Sequence, residues 1–182
     1  MFDYTMLKVN YLVLKIFFYS YISMYSFYKL NYENDITLNN AYINPIKFYF
    51  SIDIIKHIYD KNYIYIFHHL TGLFFVNYQP TNLYKFYNKI IVLSLSTEVS
   101  NIFLKLIHLK INTRIVKGCF FITFLYRFYM LHKVKLLLSE EKSTFIQYDE
   151  NKLYKVICTL YVLFYIMHIY WFSQIIRKII KK

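Results

Sequence analysis

The chain has 182 residues, of which 58% are hydrophobic and 23% aromatic, and it contains only two glycines and two prolines. This composition excludes glycine-rich phosphate-binding loops and flexible linkers. The net charge of +12 is compatible with nucleic-acid binding, but the basic residues cluster beside apolar segments, as they do in membrane proteins, so we expect no nucleic-acid partner.

Apolar stretches recur along the chain near the length that a bilayer-crossing helix needs, about 20 residues. We therefore predict an all-α fold, a multi-pass transmembrane bundle of about six spanning helices. The predicted spans are residues 7–28, 39–58, 63–78, 83–109, 115–138 and 153–176. Charged residues interrupt the second and the fourth most strongly. Residues 1–35 are assigned to an N-terminal helix with its loop, and residues 36–182 to a helical membrane domain.

The charges between these spans predict an orientation. The basic residues on one side are Lys61, Lys110, Arg114, Arg177, Lys178, Lys181 and Lys182. The acidic residues on the other side are Glu33, Asp35, Glu140, Glu141, Asp149 and Glu150. Because cytoplasmic loops of membrane proteins carry an excess of Lys and Arg, we expect the C-terminus to be cytosolic.

Two adjacent histidines, His68 and His69, lie within the apolar segment YIYIFHHLTGLFFVNY. A buried imidazole needs a hydrogen-bonding partner, and it can serve as an acid, a base or a metal ligand. Adjacent helical residues point about 100° apart, so the two can line one cavity but cannot make the same contact. A metal site would need further ligands, and only the folded geometry can show whether Glu98 or Asp53 approaches the pair. We therefore expect neither a metal nor a cofactor.

A polar stripe is predicted along one face of the fourth span, because its members recur at helical spacing. They are Ser94, Thr97, Glu98, Asn101, Lys105 and His108. Such a face is costly in lipid and should point into the bundle. The wider intramembrane polar set comprises Asp53, His68, His69, Glu98 and Arg127, with His168 near the end of the last span. These residues either line a polar cavity or form a hydrogen-bonded seam between helices with no catalytic role.

Two of these motifs carry a resemblance to a known family. The sequence FHHLTGLFF, followed by SLSTEVSNIFLKL within a multi-span bundle, resembles the TLC domain of ceramide synthases, translocating-chain-associating membrane proteins and smaller lipid-regulatory proteins. The likeness covers about residues 36–176 and includes Asp53 in the helix before the histidines. Ser96, Thr97 and Asn101 match the motif of the smaller TLC proteins. Thr97 and Asn101 depart from the ceramide-synthase motif, which argues against acyl transfer.

This resemblance implies a protein of the endoplasmic reticulum membrane that acts in lipid binding, sensing or homeostasis through a polar cavity, with membrane lipids as its partners. The expected cavity-lining residues are Asp53, His68, His69, Ser94, Thr97, Glu98, Asn101 and Arg127. One alternative is a ceramide-synthase-type N-acyltransferase in which His68 or His69 is the catalytic base. Another is a helper of protein translocation or cargo export with membrane-protein partners.

Overall fold

The computed structural model describes residues 4–33, 36–78, 81–111 and 113–180, and all regular structure within them is helical. The predicted all-α class is therefore confirmed. The helices are α1 (Tyr4–Tyr32), α2 (Asn40–Tyr59), α3 (Tyr63–Asn77), a short 3-10 helix (Thr81–Leu83), α4 (Tyr84–Ser96), α5 (Val99–His108), α6 (Arg114–Glu140), α7 (Lys142–Gln147) and α8 (Asn151–Ile180).

Two segments of the described residues are long and apolar enough to cross a membrane. They are Tyr84–His108 and Asn151–Arg177, each with a mean hydropathy of 1.7, and they coincide with the fourth and sixth predicted spans. The six-span bundle is not confirmed. Helix α3 has 15 residues, which at about 1.5 Å per residue is shorter than the ~30 Å hydrocarbon core. Tyrosines and basic residues lower the hydropathy of α1, α2 and α6.

The helices form two compact units. Unit 1 contains α1, the part of α4 from Val92, α5, and α6 as far as Val134. In this unit α1 packs against α5. The buried face of α1 includes Lys15, Tyr19, Ile22, Ser26 and Lys29, which recur every three or four residues, as one face of a helix requires.

Unit 2 contains α2, α3, the beginning of α4, the end of α6, α7 and α8. Helix α2 packs along α3, and α3 also contacts α8. Helix α2 begins at a capped end, because the Asn39 side chain accepts a hydrogen bond from the backbone N–H of Tyr42 at 3.0 Å. Such a bond satisfies one of the N–H groups that the first helical turn leaves without an intrahelical partner. Unit 2 therefore brings three helices together at the two histidines.

In the described part of the chain, three helices are followed, directly after the C-cap residue, by a non-glycine residue with positive φ. These residues are Lys61, Lys110 and Asp149, with φ angles of 53°, 65° and 56°. After α2, the Asn62 N–H donates to the His57 carbonyl at 2.9 Å, and equivalent bonds follow α5 and α7. This pattern is the Schellman motif, which satisfies carbonyl groups at a helix C-terminus. In α2 the motif determines where the helix ends, and the His57 carbonyl is one of the groups that it satisfies.

The predicted fourth helix is interrupted between Ser96 and Val99. Around this break the hydroxyl groups of Ser96 and Thr97 donate to the carbonyls of Leu93 and Ser94 at 2.8 and 2.5 Å. Side-chain hydroxyls that bond to the local backbone compete with helical hydrogen bonds. The predicted continuous polar stripe is therefore divided between α4 and α5, and its last member, His108, is exposed.

Candidate functional site

The buried face of α2 carries the acidic residue of the candidate site. Ile43, Ile46, Phe50, Asp53 and His57 are all buried, and their spacing of three or four residues places them on one helical face. The two polar members follow the apolar ones toward the C-terminus of the helix. Because this face packs on α3, Asp53 and His57 meet the histidines of that helix.

Asp53 lies at the centre of a group of polar side chains. Its Oδ2 atom is 3.1 Å from His69 Nε2 and 3.7 Å from His57 Nε2. The Tyr49 hydroxyl donates to the same oxygen at 3.1 Å. Only 1% of the Asp53 surface is exposed, so these contacts replace water around the carboxyl group, as a buried acid requires.

The contact with Asp53 also orients the His69 imidazole. An ionised carboxylate only accepts hydrogen bonds, so in a neutral His69 the proton resides on Nε2 and Nδ1 carries the lone pair. The His69 Nδ1 atom is buried and has no hydrogen-bond partner among the described residues. The arrangement can therefore supply a basic nitrogen in a water-poor environment.

Aromatic rings hold the imidazoles in place. The His57 ring stacks on Tyr65, with centroids 4.7 Å apart and planes at 18°, and lies 5.7 Å from the His69 ring at 17°. The Phe50 ring is 5.1 Å from the His69 ring. Ring contacts of this kind restrict the side-chain rotamers.

His68 faces a different helix from its neighbour. Its ring stacks on Phe164 of α8 at 4.9 Å and meets the edge of Trp171 at 5.4 Å. The His168 ring lies 6.3 Å from it, and the His168 Nδ1–H donates to the Phe164 carbonyl at 2.8 Å. His68 thus belongs to an aromatic contact with α8, whereas His69 belongs to the acid–imidazole contact with α2.

Gly72 permits the close approach of α2 and α3 beside this site. A Cβ atom at this position would lie 2.5 Å from Cε2 of Phe50, far inside the normal carbon–carbon contact distance of about 3.5–4.0 Å. Phe50 is itself buried. The absence of a side chain at Gly72 therefore keeps the Phe50 ring between α2 and α3, against His69.

The remaining predicted site residues lie in unit 1. Glu98 is buried, accepts a hydrogen bond from the Asn101 side chain, and has its Oε2 atom 4.0 Å from Arg127 Nη2. The Arg127 Nε–H donates to Ser100 Oγ at 2.5 Å, and only 2% of Arg127 is exposed. Thr97 is buried as well. Together these contacts form a polar seam within unit 1.

The structure therefore brings the predicted residues together in two groups. Asp53 and His69 meet in unit 2, while Glu98, Asn101 and Arg127 meet in unit 1. Sequence reasoning did not include His57 in the site, although its spacing of four from Asp53 places both on one helical face. It named His168 as a looser member but missed Phe164 and Trp171, whose spacing of four and three from His168 marks the face of α8.

Three of the side chains could hold a metal ion. Asp53, His57 and His69 are all buried, and their potential ligand atoms lie within 4.8 Å of one another. The sequence predicts no metal because it does not show which acid approaches the histidine pair, and in the structure His68 is not a member of this group.

No family model, curated protein or solved structure matches the chain.

Proposed function

We propose that the chain is a multi-pass membrane protein of the endoplasmic reticulum that binds the polar headgroup of a membrane lipid and acts in lipid sensing or homeostasis. The observation that carries the proposal is the buried contact between Asp53 and His69 in a highly apolar chain. An acid and an imidazole together offer a hydrogen-bond acceptor and donor to a headgroup. Intramembrane ionisable residues are costly, and they commonly mark substrate paths.

The surface of α8 supports the membrane part of the proposal. Only 17% of its candidate spanning segment is buried, and large apolar side chains such as Val162, Leu163, Ile166 and Ile169 are exposed. The core helix of a water-soluble protein would cover such residues. A helix that faces lipid leaves them on its surface, because hydrocarbon is their favourable environment.

The resemblance to the TLC domain supports the lipid part of the proposal and the location. The six-span topology and the cytosolic C-terminus remain proposals from the charge pattern. Asp35, Lys181 and Lys182 contribute to that pattern and lie outside the described residues, and the side chain of Lys178 lies outside them too. The unit 1 seam of Glu98 and Arg127 has a structural role in this proposal, since polar contacts join transmembrane helices.

The orientation of the His69 ring favours N-acyl transfer as a second candidate function. His69 Nδ1 would remove a proton from a long-chain amine as the amine nitrogen attacks the carbonyl carbon of an acyl thioester. The new C–N bond forms, the C–S bond breaks, and the proton passes to the departing thiolate. The products are an amide and a thiol. Asp53 would orient the ring and stabilise the transient imidazolium.

Lipidomic profiles of cells that lack the protein test the lipid role. The cells would be complemented with wild type, His69→Gln, Asp53→Asn or His132→Gln. His132 is exposed on α6, so its variant is the matched control. We expect wild type and the control to restore the lipid profile and the two site variants to fail at equal membrane abundance. If His69→Gln and Asp53→Asn restore the profile as well as wild type, the site has no lipid role.

An assay of the purified protein separates the two candidates. It would supply a long-chain base and an acyl thioester and measure amide formation. Amide formation by wild type that His69→Gln abolishes would favour the enzyme. Headgroup binding that depends on His69, without amide formation, would favour the sensor.

A further inference from the structure

We propose that Asp53, His57 and His69 form a binding site for a divalent transition metal of the zinc class. The proposal goes beyond the lipid role and does not depend on it, because it follows from the positions of three side chains in unit 2. These chains combine one carboxylate with two imidazoles. Both groups are common ligands of zinc in proteins.

The distances fit a metal centre. Ligand atoms held about 2.0–2.1 Å from a tetrahedral zinc ion lie roughly 3.3–3.4 Å from one another. The Asp53 Oδ2 atom is 3.1 Å from His69 Nε2 and 3.7 Å from His57 Nε2, which brackets this separation. The potential ligand atoms of all three side chains lie within 4.8 Å of one another. A small adjustment of the side chains would therefore let one ion contact a ligand atom of each.

The backbone and the neighbouring rings hold these ligands in position. Asp53 and His57 are separated by one helical turn on α2, so their side chains lie on the same face. His69 is supplied by α3, which packs directly on that face. The Tyr49 hydroxyl orients the carboxylate from outside the group, and Tyr65 stacks on His57. Groups around a metal site that orient its ligands contribute to affinity.

The ligand count indicates what the ion would do. Three protein ligands leave a fourth position for water or for an oxygen atom of a bound molecule, whereas structural zinc sites use four protein ligands. His68, although adjacent in sequence, contacts Phe164 and Trp171 of α8 instead. We infer that the two neighbouring histidines have separate tasks, with His69 a ligand and His68 a contact to α8.

The first experiment measures metal in the purified full-length chain, produced with a tag that contains no histidine or cysteine. After treatment with chelator, the protein in detergent would be titrated with Zn²⁺, and bound metal counted by elemental analysis. We expect one equivalent of Zn²⁺ to bind. If no zinc binds at micromolar concentrations, the three residues are a hydrogen-bonded seam and the proposal is overturned.

Ligand variants test which residues hold the ion. We expect His57→Gln and His69→Gln each to weaken binding by at least about 100-fold, since the loss of an outer partner alone costs about 10–100-fold. The matched controls are His68→Gln, adjacent in sequence but outside the group, and the exposed His132→Gln. Equal zinc affinity in wild type and both ligand variants would exclude this site.

The chain carries its own optical reporter for the same titration. Trp171 is its single tryptophan, and its ring stacks at 4.8 Å on Tyr65, which in turn stacks on His57. Co²⁺, a coloured substitute for Zn²⁺, should quench this fluorescence in wild type and in His132→Gln but not in His57→Gln. The metal titration uses purified protein without lipid, so it tests the metal site independently of the lipid role. If zinc binds but the site variants restore the cellular lipid profile as well as wild type, the metal site is retained and the lipid role is rejected.

Discussion

Replacing Gly72 by alanine tests how closely α2 and α3 pack at the candidate site. The added Cβ would lie 2.5 Å from Cε2 of Phe50, so the ring must retreat by about 1 Å to reach a normal contact. Such overpacking costs about 1–3 kcal/mol. Alanine also favours a helix over glycine by about 0.8–1.0 kcal/mol. The net effect on the free energy of unfolding is thus a loss of up to about 2 kcal/mol.

Gly118 provides the matched control. It lies in α6, and a Cβ atom added there would meet no atom of the described residues within 4 Å, so Gly118→Ala receives the helix-propensity gain without the clash. The difference between the two variants isolates the packing cost of about 1–3 kcal/mol. For a chain of this size each kcal/mol shifts the melting temperature by roughly 2–4 °C.

The assay is thermal unfolding in detergent, followed by the fluorescence of Trp171. We expect Gly72→Ala to melt below Gly118→Ala by several degrees. Because the displaced Phe50 ring lies 5.1 Å from the His69 ring, we also expect weaker zinc binding in Gly72→Ala alone. Equal melting temperatures for the two variants would refute the argument that α2 and α3 require a glycine there.

Three further outcomes follow from other parts of the chain. Asn39→Ala should lower the free energy of unfolding by about 1 kcal/mol, since α2 loses its N-cap, and thermal unfolding measures this. Arg127→Met should lower the free energy of unfolding by about 3–5 kcal/mol, because the buried Glu98 loses its cation. Adding Glu98→Gln should recover part of that loss. Purely additive effects of the two substitutions would argue against coupling between these residues. A C-terminal tag should be digested by protease in sealed microsomes, because we expect the basic end to be cytosolic, and protection of the tag would contradict that orientation.

Periodicity predicted the helices well, because apolar spacing records which face of a helix is buried. It did not predict the break between Ser96 and Val99, where short hydroxyl side chains bond to nearby carbonyls and compete with the helix. Periodicity also did not determine the number of membrane spans. Helix α3, for example, is apolar but has 15 residues, whereas a spanning helix has about 20, and apolar periodicity does not show whether such a helix crosses the membrane.

The candidate site was predictable in part. The apolar surroundings of His68 and His69 indicated two imidazoles that need partners, and their angular separation correctly implied different contacts. Asp53 was named as one of two acids that could approach them. The contact itself depends on how α2 and α3 pack, which local spacing does not determine. His57 was detectable from its spacing of four from Asp53, a pattern available in the sequence.

The left-handed residues at the helix ends have a consequence for mutational tolerance. Lys61, Lys110 and Asp149 are exposed, and exposed positions usually accept almost any substitution. At a positive φ, however, branched side chains and proline are strained, whereas glycine and asparagine are accommodated. In a saturation screen we therefore expect these three surface sites to reject proline and branched side chains, which most exposed positions accept, and to tolerate glycine best.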